Sequence, residues 1–350
     1  MAFENLADKI AKKTFNSPDF QKSWAAHMAA FGPILEPAFA EDYQSRVHLT
    51  AALNLISNRN ISNGLKKLQS LQGKCKNDAD KAALLFFMGV CFEMMGHQEQ
   101  MLECYTYANE YEHRFYMPYL KVAKFYLNGH IYDRAADGYA RGIACFTATG
   151  LDDQSRLILG SAYTNQATCL MMMHRYEEAE AALATSRNLY PDAPGRAATE
   201  ATLHALRGDR EQVETCLAAL KEHVPETWEE VRETTERILA KEDPLFFPVE
   251  LDDGKIAEFW QWFTAEEAAL VSMLEAQKYE AAVTSVADRL LEAFPFLEEQ
   301  PYIALGKDEH GFILELHDMY AVAVMNAYET LLQSRPGEET EHLIRFVIVH

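Results

Sequence analysis

Acidic and imidazole side chains occur close together between residues 310 and 350, where their types could support acid–base or metal chemistry. Glu315 and His317 lie two residues apart in a segment that alternates apolar and polar residues. Because alternate residues of a β-strand point to the same side, these two side chains are predicted to share a face. Further candidates lie nearby in sequence: His310, Asp318, His342 and His350. Such a set could ligate a metal ion or form an acid–base pair.

No catalytic or phosphate-binding motif accompanies these residues. The sequence contains no His-Glu-x-x-His, no glycine-rich phosphate loop and no Gly-x-Ser-x-Gly. These are the spacings that place zinc ligands, phosphates or a nucleophilic serine. A solvated strand edge beside a loop explains Glu315 and His317 more simply. We therefore expect that the chain is not an enzyme and needs no cofactor or metal, with a metal-dependent hydrolase kept as an alternative.

The cysteine pattern and the lack of long apolar runs predict a cytoplasmic protein. No two cysteines have the Cys-x-x-Cys spacing, and free thiols in a reducing compartment explain their spread, with zinc binding or disulfides as the alternative. The cysteines are Cys75, Cys91, Cys104, Cys145, Cys169 and Cys216. The sequence has no run of 18 apolar residues and no basic stretch followed by an apolar one at its start. Neither a membrane span nor a secretory signal is therefore predicted.

The charge of the chain is strongly acidic and unevenly distributed. The formal net charge is −21, which makes nucleic-acid binding through a basic face an unfavourable hypothesis. Residues 241–350 contain 22 acidic and 7 basic residues, a net charge of −15. Such an asymmetry favours a domain boundary near residue 241, and it would repel anionic membranes and phosphate-rich ligands.

The middle of the chain has a 34-residue sequence period, which indicates the structural elements that position its side chains. Ala167 and Ala201 occupy the same small-residue place in two successive copies, and Pro191 and Pro225 close the two copies. A fixed period with small and large residues at fixed offsets is typical of a helical repeat protein. Such arrays expose long concave surfaces that bind other molecules.

This pattern resembles the tetratricopeptide repeat (TPR), a 34-residue helix–turn–helix unit with a small residue in its first helix. The two clearest copies are residues 160–193 and 194–227, and earlier copies place Ala52, Gly89 and Ala123 at the small position. The resemblance implies a mainly α protein, with a TPR-like α-α superhelix of about five helical hairpins over residues 45–241, including a terminal helix. The spacing lengthens to 44 residues before Ala167, which predicts a longer helix or loop around residues 147–154.

The remaining segments predict a cap, a linker and a second domain. Residues 1–44 are interpreted as N-terminal capping helices, with Phe20, Trp24, Met28 and Phe31 on one apolar stripe. Residues 242–255 combine turn residues with an apolar Leu-Phe-Phe and are predicted to be a linker that packs on a neighbouring domain. Residues 256–350 are predicted to form a small α+β domain of a helical hairpin, a β-hairpin, a helix and a strand. We recognise no family for this last domain.

The resemblance also implies which side chains line the inner wall of the array. The first helix of each unit supplies the wall, which here is mostly apolar and contains methionines. The candidate partner-binding residues are Leu49, Leu53, Phe86, Val90, Met94, Leu120, Lys124, Leu127, Asn128, Thr168, Met171 and Met172. An exposed apolar groove usually marks an interaction site, and methionines adapt to varied partners. The composition leaves open whether a partner or the chain's own segments fill this groove.

These observations together favour a scaffold or adaptor that binds a protein or peptide in its concave groove. Only Arg46, Lys124 and Asn128 could contribute to a basic clamp for a terminal carboxylate, so that binding mode is not expected. One alternative is a ligand-sensing regulatory protein with the acidic C-terminal domain as its output, involving contact between that domain and the array. The other alternative is the metal-dependent hydrolase considered above.

Overall fold

A computed structural model describes residues 13–146, 152–191, 193, 195–297, 300–337 and 343–349. The chain folds as two compact units. Unit 1 comprises Met1–Leu170 and Glu177–Ala193, and unit 2 comprises Met171–Tyr176 and Pro194–His350. Among the described residues, no helix is both long and apolar enough to cross a membrane.

From Pro18 onward, nine helices of the described residues belong mainly to unit 1 and pair as successive hairpins after the helix α1. Their bounds are α1 Pro18–Leu35, α2 Tyr43–Ser57, α3 Ile61–Gln69, α4 Asp78–Met95, α5 Gln98–Tyr111, α6 Tyr116–Asn128, α7 Tyr132–Ala144, α8 Asp153–Met172 and α9 Tyr176–Leu189. Helices α2 and α3, α4 and α5, and α6 and α7 pack against each other. The α8–α9 pair is joined by a hydrogen bond of 2.8 Å between the Thr164 and Ser186 hydroxyls. The predicted lengthening begins at residues 147–151, outside the described residues.

The remaining elements belong to unit 2 and combine helical hairpins with a small sheet. They are α10 Arg196–Leu206, α11 Arg210–His223, α12 Pro225–Ala240, α13 Asp253–Glu275, α14 Tyr279–Ala293, β1 Ile303–Asp308, β2 Gly311–His317, α15 Val322–Gln333 and β3 Ile344–Val349. The α10–α11 pair packs against α12, and α13 packs against α14. The predicted fold class, helical hairpins followed by a small α+β part, is confirmed.

The turns within the hairpins end the first helix in the same way. Among the described residues, a residue with left-handed backbone geometry follows each first helix, and these are Arg59, Gly96, His130, His174, Gly208 and Gln277. This conformation commonly ends a helix because it directs the next amides back to the last free carbonyls. His174 and Gly208 are 34 residues apart, so the sequence period recurs as a period of turns.

Close contact between the two helices of each hairpin explains the small residues of the period. Ala52, Ala123, Ala167 and Ala201 are all fully buried. In the second pair, a Cβ on Gly89 would lie 2.7 Å from Cε1 of Tyr105, so only glycine lets that ring cross α4. The predicted small positions are therefore confirmed as helix-packing positions.

The leading helix α1 packs into the core of unit 1. Phe20, Trp24 and the partly buried Phe31 join one apolar cluster with side chains of α2 and α4. The ring centroids of Phe31 and Phe86 lie 6.0 Å apart. His27 Nε2 lies 2.8 Å from Asn54 Oδ1 on α2. The apolar stripe predicted for this helix thus covers the first helices of the first two pairs.

The sheet of unit 2 is a hairpin extended by one parallel strand. Its order is β1-β2-β3, with β1 and β2 antiparallel and β2 and β3 parallel. Parallel strands need a crossover, and α15 supplies it. Aromatic residues of α13 pack beneath the sheet, with the Phe263 and Phe346 ring centroids 5.0 Å apart. The β-hairpin, helix and final strand predicted from the sequence are all present.

The segment predicted as a linker packs within unit 2. Phe246 is buried in a cluster with Val213 and Ile238. The carbonyls of Leu245 and Pro244 accept hydrogen bonds from the amides of Val322 and Ala323, which lie in the first turn of α15. Those amides have no partner within their own helix. This segment thus packs on its neighbours within unit 2. The domain boundary at residues 242–255 stays a prediction.

Substitution of Gly89 tests the packing constraint. We expect Gly89→Ala to lower the free energy of unfolding by about 1–3 kcal/mol, because the new methyl group overlaps the Tyr105 ring. Gly73→Ala is the matched control, since a Cβ at Gly73 meets no atom within 4 Å. Urea unfolding measures both variants. Equal midpoints for the two would contradict the close contact.

Candidate partner-binding surface

Four of the twelve predicted partner-binding residues are core residues. Leu49, Leu53, Phe86 and Met171 are buried, and Phe86 is only 1% exposed. The first three belong to one apolar cluster with side chains of α1 in unit 1, whereas Met171 belongs to unit 2. Their role as partner contacts stays a prediction.

Five further candidates are half-buried, and four of them have identified contacts. Val90 packs against the apolar cluster of unit 1, and Met172 packs against the Phe246 cluster of unit 2. Leu120 lies so near Gly142 of α7 that a Cβ there would be 2.6 Å from Leu120 Cδ2. The Thr168 hydroxyl donates a hydrogen bond to the Thr164 carbonyl one turn back. Leu127 is half-buried on α6.

Three candidates are exposed, and they lie on α4 and α6 of unit 1. Met94 is 39% exposed at the end of α4, although a large apolar side chain gains free energy by burial. Lys124 and Asn128 are exposed four residues apart on α6. Residues at this spacing are neighbours on a helix surface.

A bridge between Glu93 and Lys121 joins these two helices. Lys121 Nζ lies 2.9 Å from a Glu93 carboxylate oxygen, and both side chains are about two-fifths exposed. The Tyr105 hydroxyl donates to the same carboxylate at 2.7 Å. Burial and the neighbouring carboxylate raise the pKa of Tyr105, so the phenol stays a donor. We name Glu93, Met94, Lys121, Lys124 and Asn128 the α4–α6 surface.

Lys124 is the charged group of this surface that is available to a ligand. In the part of the chain that the structure describes, no carboxylate lies within 4 Å of its ammonium group. Lys121, by contrast, is paired with Glu93. The twelve candidates predicted from the sequence include neither Glu93 nor Lys121. Only the tertiary contact between two residues 28 positions apart reveals the bridge.

The acid–base candidates of the sequence do not form a metal centre among the described residues. No group of three or more His, Cys, Asp or Glu side chains there could hold an ion. His317 Nε2 lies 3.9 Å from Glu315, and its ring centroid lies 4.7 Å from that of Tyr302. His310 is beside Glu309 in the exposed β-hairpin turn. His342 and His350 lie outside the described residues.

The six cysteines are free thiols. Cys91 on α4 and Cys104 on α5 are both buried. Burial raises the pKa of each of these two thiols to about 11, because a thiolate would lose its hydration. These two side chains are therefore packing residues and poor nucleophiles at neutral pH.

Comparisons with known proteins identify similar folds only at a distance. No family model matches the chain, and no curated protein matches it. The chain is similar to the MamA RS-1 ArsTM double mutant, with 14% identity, a TM-score of 0.40 and coverage of 54% of this chain and 97% of that one. A thermophilic TPR protein from Thermus thermophilus has 13% identity, a TM-score of 0.35 and coverage of 56% and 99%.

A third similar structure is the C-terminal part of a TPR repeat-containing protein from Cytophaga hutchinsonii. It has 12% identity, a TM-score of 0.41 and coverage of 83% of this chain and 96% of that one. These TM-scores are too low to support an argument. The TPR-like character of the chain rests on its own geometry, namely the helix pairs, the buried small residues and the repeated left-handed turns described above.

Two substitutions separate core residues from surface residues. Phe86→Asp should lower the free energy of unfolding by at least about 3 kcal/mol, because it buries an unpaired charge and removes a packed ring. Met94→Asp should change it by no more than about 0.5 kcal/mol, because Met94 is exposed. Denaturant unfolding followed by circular dichroism measures both. A stable Phe86→Asp protein would show that this position is open to solvent.

Proposed function

We propose that this chain is a protein- or peptide-binding scaffold that captures its partner on the α4–α6 surface. The observations that support this proposal are the exposure of Met94, Lys124 and Asn128 and the lack, among the described residues, of a carboxylate paired to Lys124. The Glu93–Lys121 pair joins the two helices that carry them. These residues lie on the first helices of two successive hairpins, and repeat arrays use such extended surfaces for recognition.

The chemistry of the α4–α6 surface suits a short amphipathic segment. Met94 offers a flexible apolar contact, Lys124 offers a cation for a carboxylate, and Asn128 offers an amide that can donate and accept. Glu93 and Lys121 neutralise each other between them. Apolar burial would contribute about 25 cal/mol per Å² removed from water, reduced by the cost of ordering the segment.

Further parts of the proposal concern location, activity and partners. We place the scaffold in the cytoplasm, as a non-enzymatic protein without nucleic-acid or membrane partners. The net charge of −21 supports the exclusion of nucleic acids and anionic membranes, because it opposes approach to phosphate-rich surfaces.

Charge reversal at Lys124 tests the proposal. We expect Lys124→Glu, alone or with Met94→Asp, to reduce partner capture from host extract by about tenfold, because it removes a charged contact from the centre of the surface. Lys66→Glu is the matched control, since it makes the same charge change at an exposed position of α3. Affinity capture with quantitative mass spectrometry compares each variant with the unmodified chain.

Two results would contradict the proposal. One is a set of captured proteins that is the same for Lys124→Glu, Met94→Asp and the control. The other is an equal loss for Lys66→Glu, which would show that total charge rather than this surface governs capture. Thermal unfolding of each variant confirms that the compared proteins are folded.

A further inference from the structure

The sheet of unit 2 has one face that is open to solvent. Aromatic residues of α13 pack beneath the other face, on the side of Phe346. Because alternate residues of a strand point to opposite sides, the open face carries Ala304, Glu315 and Val347, which are partners in the strand register. Val347 is 42% exposed, and Leu343 just before β3 is 56% exposed. We name Tyr302 and the residues of β1, β2 and β3 on this side, together with Leu343, the outer sheet face.

The sequence of β3 is that of a strand covered on both sides. It reads Ile-Arg-Phe-Val-Ile-Val, with Arg345 as its one charged residue. A near-continuous apolar run is typical of parallel strands with a helical layer on each face, whereas a strand with one solvated face alternates apolar and polar residues. The β3 strand is parallel to β2, yet Val347 is exposed. The composition therefore indicates that a further layer covers the outer sheet face.

The dimensions of the outer sheet face suit a single helix. Three strands span about 10 Å between the outer two, and the six steps from Leu343 to Val349 span about 20 Å. A helix has a diameter of about 10 Å and covers 20 Å with about 13 residues. Two copies of the chain packed face to face would cover on the order of 200–300 Å² each, well below the roughly 800 Å² per partner of a stable interface.

The charges of the outer sheet face indicate that this helix carries a cation. Arg345 is paired with Asp308. The side chain of Glu315 is 41% exposed, and the basic group near it in the described part of the chain is the His317 imidazole at 3.9 Å. Residues 241–350 have a net charge of −15. A lysine or arginine of a partner complements Glu315 and this charge, whereas a second copy brings the same negative charge and is repelled.

We propose that the outer sheet face binds a basic amphipathic helix of a partner protein. The apolar side of that helix packs on Val347, Leu343 and Tyr302, which is 61% exposed. A lysine or arginine at the edge of its apolar side pairs with Glu315. This surface belongs to unit 2 and does not depend on the proposed function of the α4–α6 surface.

Titration of the full-length chain with designed peptides tests this surface. The probes are acetylated, amidated peptides of about 14 residues made of leucine, alanine and lysine, long enough to cover the face as a helix. One has leucines at the i, i+3, i+4, i+7 spacing, one is its scramble, and one carries glutamate in place of lysine. Calorimetry gives the affinities. We expect the first peptide to bind at least about tenfold more tightly than the other two, because it alone combines an apolar stripe with positive charge.

Substitutions then assign the binding to the outer sheet face. Val347→Lys should weaken binding of the amphipathic lysine peptide at least about tenfold, because it places a cation at the centre of the face. Leu157→Lys is the matched control, since Leu157 on α8 is 43% exposed. Glu315→Gln should weaken binding by about threefold or more, whereas Glu275→Gln, at the exposed end of α13, should not. Met94→Asp should leave this binding unchanged.

Several outcomes would overturn the proposal. Equal affinity for the scrambled peptide would indicate attraction by net charge alone, and tighter binding of the glutamate peptide would indicate an anion site. A dimer in sedimentation experiments that Val347→Lys dissociates would make a second copy the occupant. A lower melting temperature for Val347→Lys than for Leu157→Lys, with no peptide bound, would show that the chain itself covers the face. Binding that Met94→Asp abolishes and Val347→Lys leaves intact would place the helix on the α4–α6 surface.

Discussion

The close approach of the two helices in each hairpin is the constraint on which the rest of unit 1 depends. Where Gly89 lets the Tyr105 ring cross α4, the Tyr105 hydroxyl reaches Glu93 at 2.7 Å. Glu93 in turn pairs with Lys121 of the next hairpin. The absence of a side chain at Gly89 thus allows Tyr105 to contact Glu93 within one helix pair. Glu93 also joins that pair to the next one, and it belongs to the α4–α6 surface that we propose for binding.

In this fold, an apolar helix face is covered either by another segment of the chain or by a partner. Repeat units cannot bury their apolar faces alone, so each face needs a neighbour. Side chains of the leading helix α1 take this role in the cluster that contains Leu49, Leu53 and Phe86.

Sequence patterns are enough to predict the local elements: the 34-residue period, the small residues such as Ala167 and Ala201, and the β-hairpin with its following helix and strand. These features are local because helical spacing, strand alternation and turn chemistry involve residues near one another in the chain. Which faces are covered depends on the folded structure, as for Phe86, which packs with α1, and Leu120, which packs against Gly142. The same holds for the Leu245 carbonyl, which accepts a hydrogen bond from the first-turn amide of Val322 in α15. These contacts depend on which distant segments of the chain pack together. Whether a side chain is buried depends on that packing and cannot be read from its spacing in the sequence.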